Sequence, residues 1–167
     1  MGKREIIEAL IFSSGSPLQV KDVIKVLPGT TPEEIERYVG ELNGIYESTN
    51  RSMRIHFVAS GYLFETLPEY APYLRQLVTP VRLTGASLEV LAVIAYKGPC
   101  SKQIIDGIRG VDSTSSLKQL IRHQLVDIKP GKPMVYYTTE KFLEVFGLTS
   151  LSELPDITQF EEVFGGA

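Results

Sequence analysis

The sequence predicts a mostly α-helical chain with small β hairpins, an α+β class built as two tandem copies of one compact unit. Three observations carry this prediction. Apolar residues recur at helical spacing, two β-rich stretches each bracket a turn signal, and the same order of elements recurs after residue 80. The 167 residues suffice for one ordinary domain or two small ones.

The first helix is marked by Ile6, Ile7, Leu10 and Ile11, and Gly15 and Pro17 stop it. Val20, Val23, Ile24 and Leu27 follow at i, i+3, i+4 and i+7. A third helix has a start with a mechanism. Thr31 can cap, Pro32 suits the first helical position, and Glu34 can close a capping box. Ile35, Tyr38, Val39, Leu42, Ile45 and Tyr46 share one side of it. "MRIHFVASGYLFETL" then reads as two strands turning at Ser60-Gly61. "PEYAPYLRQLVTPVR", broken by prolines, reads as a connector holding a short helix, with the domain boundary near Thr79 to Leu83.

The order then repeats. "TGASLEVLAVIAYKG" is apolar on nearly every side from Leu88 to Ala95, which predicts deep burial, and Gly98-Pro99 ends it. "SKQIIDGI" is a second helix, and "DSTSSLKQLIRHQL" a third with Leu117, Leu120 and Ile121 inward. "VDIKPGKPMVYYTT" is a second hairpin, and "EKFLEVFG" a closing helix, after which Ser150 and Glu153 can form another capping box. Three helices followed by a hairpin make a winged helix. The predicted division is 1–80, 81–157 and a flexible tail over 158–167.

Composition narrows the function. The chain is 43% hydrophobic and 22% charged, as soluble globular proteins are. No apolar run reaches the roughly 18 residues of a membrane helix, and Glu5 and Glu8 interrupt any signal-peptide core, so a cytoplasmic protein with no membrane contact is expected. One cysteine and two distant histidines, His56 and His123, provide neither a disulfide nor a metal-ligand spacing. Cys100, between Pro99 and a helix start, is either a stabilised thiolate or a small residue at a turn. No glycine-rich phosphate loop or nucleophile–base set is present, so neither catalysis nor a cofactor is predicted.

The net charge of −3 disfavours a polyanion as partner. From Pro32 to Glu47, the first unit's would-be reading helix, there are five acids and one base. Lys97 to Lys132 leans positive, with seven bases against three acids. There Ser115, Lys118, Gln119 and Arg122 would face outward, with Lys129 and Lys132 in the hairpin, and Gln119 and Arg122 could address base edges. A DNA-binding transcription regulator is therefore the alternative to a protein-binding role, although four cations fall short of the usual six or more phosphate contacts. Tyr62, Phe64, Tyr70, Tyr73, Tyr96, Tyr136 and Tyr137 suit either protein interfaces or the completion of two small cores.

"EALIFSSGSPL", "LPEYAPYLRQL", "VIAYKGP", "RGVDS" and "PGKPMVYYTTEKFLEVFGLTSLSELP" together resemble segregation and condensation protein B, ScpB, over roughly Glu5 to Asp156. The resemblance implies a non-enzymatic tandem winged-helix protein that forms homodimers, mainly through the N-terminal domains. It further implies binding to the central part of the kleisin ScpA, which bridges the heads of the ATPase SMC, in chromosome condensation and partition during cell division. ATP hydrolysis would belong to the partner, and DNA contact would be at most weak and nonspecific. On this footing Tyr38, Tyr46, Tyr62 and Phe64 are candidate dimerisation residues. Tyr96, Arg109, Asp112, Lys118, Arg122, Lys132, Tyr136 and Tyr137 are candidates for partner contact. In "RGVDS", Asp112 or Ser113 can cap the next helix, and Arg109 can pair with Asp112 or meet a partner's acid. Lys132 stands where the family is expected to have Arg, keeping charge and losing bidentate geometry. Gln124 stands where relatives commonly have Gly; a left-handed cap there would cost Gln about 1 kcal/mol.

Overall fold

The structure, a computed structural model, describes residues 2–75, 77 and 83–156. The tail expected over 158–167, and Thr79 to Arg82 of the expected boundary, lie outside these. The chain divides into two compact units, Met1–Val81 and Arg82–Ala167.

The first unit runs α1 (Lys3–Ser13), β1 (Leu18–Gln19), α2 (Val20–Val26), α3 (Pro32–Ser48), β2 (Met53–Val58) and β3 (Gly61–Thr66). A single 3-10 turn (Pro68–Tyr70) and α4 (Ala71–Leu74) follow. The capping box that starts α3 is formed: Thr31 accepts from the Glu34 amide, and Glu34 accepts from the Thr31 amide. Ile7, Ile11, Val23 and Ile35 are each at most 1% exposed and centre the core, with Val39, Leu42 and Ile55 around them. Ile45 departs from the predicted stripe and is 41% exposed, because the inward face of α3 passes through Leu42 and Tyr46 instead.

The sheet order is β1-β3-β2, and the two-residue strand β1 is an addition to the predicted hairpin. The hairpin turn also moves. Its loop residues are Ala59 and Ser60, with φ of 48° and 62°, the pattern of a two-residue turn with both residues left-handed. Gly61 belongs to β3, opposite Gln19 of β1. A Cβ there would lie 2.8 Å from the Leu18 carbonyl oxygen, so glycine is required by close approach of a backbone, not by the turn.

The second unit repeats the order: α5 (Gly85–Lys97), β4 (Cys100–Ser101), α6 (Lys102–Arg109), α7 (Thr114–Arg122), β5 (Val126–Lys129) and β6 (Val135–Thr138), then α8 (Glu140–Phe146) and a 3-10 turn (Leu151–Glu153). Its sheet order, β4-β6-β5, matches that of the first unit. A helix, a short strand, two helices and a hairpin whose second strand sits centrally is the winged-helix arrangement, present twice. Val90, Ile94, Ile105 and Leu120 are fully buried at the centre of the second core.

The expected all-round burial of α5 is not observed. Val90, Leu91, Ile94 and Ala95 face the core, whereas Leu88 is 47% exposed and Ala92 is exposed. Three helices and a three-stranded sheet cover only one side of it, and the buried face includes Ser87, whose hydroxyl donates to Gln119 Oε1 at 2.6 Å. The predicted Ser150–Glu153 capping box shifts by one residue. Glu153 accepts from the Thr149 amide and hydroxyl, and Ser150 makes no capping bond.

Gln124 follows α7 with φ of 58°, in the left-handed region, as the family comparison of that position anticipated. Gln124→Gly is therefore expected to raise stability by up to about 1 kcal/mol, the relieved steric cost partly offset by the entropy glycine loses on folding. Thermal denaturation of the two proteins side by side checks this.

Candidate functional site

In winged helices that read DNA, the helix preceding the hairpin is the reading element, so α3 and α7 show what each unit can grip. On α3, Glu33, Glu36 and Glu41 are exposed. Arg37, the lone base of the helix, lies 3.5 Å from Glu41 and 4.7 Å from the Tyr38 ring centre, which neutralises and screens it. Glu33 and Glu34 are held below the usual carboxylate range, Glu33 by its own amide and the Thr31 hydroxyl, Glu34 by the Thr31 amide. This surface carries permanent negative charge at neutral pH.

On α7, Lys118 and Arg122 are exposed, and so are Lys129 and Lys132 of the hairpin. Gln119 is not the outward reader predicted. It is half-buried and accepts a hydrogen bond from the Ser87 hydroxyl, so reaching a base edge would take that hydroxyl's acceptor away and leave it only the bond from Thr84. Cys100 resolves toward the small residue at a turn: it is 4% exposed, and burial pushes its thiol upward, away from the thiolate.

The "RGVDS" stretch is an internal brace. Within the chain, Arg109 pairs with Glu89 and not with Asp112. Its Nη2 lies 2.9 Å from Glu89 Oε2 on α5, and its Nη1 donates to Ser113 Oγ at 3.1 Å. With only 8% of its side chain exposed, Arg109 is not available to a partner. Asp112 pairs with Lys102 of α6, which also meets Asp106. Asp112 provides the cap for α7, accepting from the Thr114 amide at 3.0 Å, while Ser113 makes no capping bond with its side chain. Asp106 Oδ1 accepts from the Ser113 amide at 2.9 Å. These contacts lock α5, α6 and the start of α7 together.

The ammonium of Lys102, then the Thr114 amide, hold the Asp112 carboxyl down at about 2, and Lys102 likewise lowers Asp106. A carboxyl depressed on folding contributes stability that is present above its unfolded value of 3.8 and is lost as pH falls toward 2. Urea midpoints measured from pH 5 down to 2 should therefore decline. Asp112→Asn, insensitive to that titration, should start lower and decline less steeply.

The aromatic candidates separate by burial. Tyr46 and Tyr62 are 6% and 7% exposed, so they complete the first core and offer almost no area to a second copy. The Tyr46 hydroxyl donates to Glu8, and burial with that carboxylate raises its pKa far above the ordinary tyrosine range. Tyr38 and Phe64 are half-buried, and Phe64 packs edge-on against Phe12, itself 73% exposed. In the second unit Tyr136 leans on the core from the centre of the sheet. The Tyr137 hydroxyl donates to Asp127 at 3.3 Å, and that of Tyr96 to the Pro155 carbonyl at 2.8 Å.

Two adjoining grooves run along this side of the second unit, a feature the sequence did not signal. One is lined by Ile94, Pro99, Lys129, Val135, Tyr137 and Leu151. The other is lined by Tyr96, Lys97, Ser152, Leu154, Pro155 and Asp156, and Gly98 and Leu151 belong to both. Among the described residues no three His, Cys, Asp or Glu side chains come together as a metal ion would require, and no helix is long and apolar enough to cross a membrane.

Two winged helices in tandem define the class: a DNA reader's architecture with an acidic reading helix in the first unit and, in the second, a glutamine tied inward beside exposed Lys118 and Arg122. The chain belongs to the family of the segregation and condensation complex subunit ScpB, whose model matches residues 5–157. It is 38% identical to the segregation and condensation protein B of Syntrophotalea carbinolica, over 96% of this chain and 84% of that one. With its counterpart in Carboxydothermus hydrogenoformans it shares 39%, over 90% and 85% of the two chains. Among solved structures, a conserved hypothetical protein from Chlorobium tepidum is 41% identical over 87% of this chain and 96% of that one, with a TM-score of 0.45. A crystal structure of an ScpB N-terminal-domain dimer complexed with an ScpA peptide is 27% identical, covering 48% of this chain and 97% of that one, with a TM-score of 0.41.

Proposed function

We propose that this chain is a non-catalytic, dimeric scaffold of an SMC–kleisin complex, binding the kleisin ScpA and serving chromosome condensation and partition in the cytoplasm. The observation that carries this reading is the family match over nearly the whole chain, residues 5–157. The charge distribution supports it. An acidic, self-paired α3 repels phosphates, so the first unit is free for self-association through exposed apolar groups such as Phe12 and the half-buried Tyr38 and Phe64. In the second unit Lys118, Arg122 and Lys132 are exposed and offer rim charges to an acidic kleisin segment, and the half-buried Tyr137 offers apolar area in the groove beside Lys129.

The test is association with the ScpA of the same organism, measured by calorimetry on the full chain. Saturable binding at about micromolar Kd or tighter is expected, and Lys118→Glu with Arg122→Glu should weaken it at least tenfold. Absence of binding at tens of micromolar would sink the reading. The rival, a transcription regulator, requires sequence-specific DNA binding that survives about 200 mM salt and is lost in Arg122→Ala; the expected result is weak, salt-labile binding without sequence preference.

A further inference from the structure

Among the described residues β2 pairs only with β3, so one row of its backbone groups faces away from the ladder. Which row it is follows from the entry to the hairpin. The Ser52 carbonyl accepts from the Leu67 amide at 2.9 Å, so Ser52 faces β3, and alternation turns Arg54, His56 and Val58 the same way. Met53, Ile55 and Phe57 therefore present their amides and carbonyls outward.

At the centre of that row, both polar groups of Ile55 are taken by one side chain. Asn43 Oδ1 accepts from the Ile55 amide at 2.8 Å, and Asn43 Nδ2 donates to the Ile55 carbonyl at 2.9 Å. These are the two bonds that an antiparallel neighbour strand would make to Ile55, and a primary amide, donor and acceptor at once, reproduces both. Helix formation gives no reason for asparagine here, since it is a weak helix former and Asn43 lies in the interior of α3. Gly40, one turn before it, and Gly44, beside it, are exposed, with nothing within 4 Å of where their side chains would begin. The helix thus leaves space around the Asn43 amide.

The second unit repeats half of this arrangement. There the Leu125 carbonyl accepts from the Thr139 amide, so Ile128, placed after Leu125 as Ile55 is after Ser52, faces outward. Its amide donates to Asp127 Oδ1 at 2.7 Å. A carboxylate only accepts, so Asp127 cannot serve the Ile128 carbonyl.

We propose that Asn43 closes the free edge of β2 against the same strand of a second copy. Two β2 strands meeting antiparallel about Ile55 set Met53 opposite Phe57 and bring all the outward amides and carbonyls into register, a self-complementary pairing. With Asn43 in place, that pairing must first break both of its bonds to Ile55.

Full chains of wild type, Asn43→Ala, and Asn43→Ala with Met53→Pro are compared by sedimentation velocity over a concentration series and by amide exchange. In dilute Asn43→Ala the Ile55 amide should exchange about tenfold faster than in wild type, whereas the Arg54 and His56 amides, held in the ladder, keep their rates. As concentration rises, this variant should form species larger than wild type's own assembly, and the Met53, Ile55 and Phe57 amides should slow together. Met53→Pro removes an outward amide at the first position of the strand, where proline is tolerated, and should move the larger species to severalfold higher concentration. Asn43→Asp copies the one-sided arrangement of the second unit and should fall between wild type and Asn43→Ala; it carries the same readouts if the alanine variant does not fold. An Asn43→Ala chain that keeps the wild-type assembly state at every concentration overturns the proposal. So does equal acceleration of Arg54, Ile55 and His56, which is loosening of the whole unit, and so do larger species indifferent to Met53→Pro, which pair through another surface. Each variant is judged against wild type's own assembly state, so the outcome does not depend on the dimeric kleisin-binding reading.

Discussion

Gly61→Val is expected to cost about 3 kcal/mol, lowering the melting temperature of the first unit by roughly 12–24 °C. The Cβ of any other residue would meet Leu18 and Pro17 backbone at 2.8 Å, closer than such atoms approach. Backbone cannot swing aside as a side-chain tip can. The strain is relieved by parting β1 from β3, where Leu18 pairs with Tyr62 and Gln19 with Gly61. Hydrogen exchange should then locate the loss at the amides of Leu18–Gln19 and of β3. Gly44→Ala is the control. It lies in α3 of the same unit with nothing within 4 Å of the added methyl, so it should gain about 0.5–1 kcal/mol from helix propensity. A Gly61→Val protein that melts with wild type would mean that β1 is not held as described.

Gly61 also shows what the sequence could and could not display. As part of Ser60-Gly61 it reads as a turn, because turns are the commonest local use of glycine. Its actual reason is a strand 42 positions earlier, Gln19, and a two-residue strand has no period of its own to detect. The same blindness hid β4. The long helices were legible because spacing and caps are local: Thr31, Pro32 and Glu34 sit within four residues of each other and mark the start of α3 as the structure has it. Burial was less legible. The apolar content of α5 promised a helix covered on all sides, yet the small unit around it has too few elements to cover Leu88 and Ala92.

The candidate site divides along the same line. Tyrosine type says that a ring has an apolar body and a polar tip, but not which of the two faces solvent. Tyr46 turns its hydroxyl to Glu8 within the core, whereas Tyr96 reaches the Pro155 carbonyl near the surface. "RGVDS" offered Arg109 a partner three residues away; the acid it takes, Glu89, lies twenty residues back on a neighbouring helix. Charge content was legible without coordinates, and the structure deepens it: the lone base of α3 is paired with Glu41 and laid over Tyr38.

The Arg109–Glu89 pair yields the second large effect, and it is asymmetric. Arg109 is 8% exposed and Glu89 is 67% exposed. Glu89→Ala leaves a buried guanidinium that still donates to the Ser113 hydroxyl but has lost its counter-charge, so the uncompensated charge costs about 1.5–3 kcal/mol. Removing Arg109 instead leaves a carboxylate that water can solvate, and Arg109→Met keeps much of the length of a side chain that is only 8% exposed. The double variant Glu89→Ala with Arg109→Met should therefore be more stable than Glu89→Ala alone, although it carries one more substitution. Glu89→Gln, which keeps one acceptor, should fall between wild type and Glu89→Ala. Urea denaturation of wild type, Glu89→Ala, Arg109→Met and the double variant closes the cycle, with Glu89→Gln measured beside them. The salt dependence separates a buried pair from a surface one, because a surface pair is screened away at about 1 M salt whereas a stranded buried charge remains costly. Glu89→Ala within about 0.5 kcal/mol of wild type would reduce the brace to an ordinary surface ion pair.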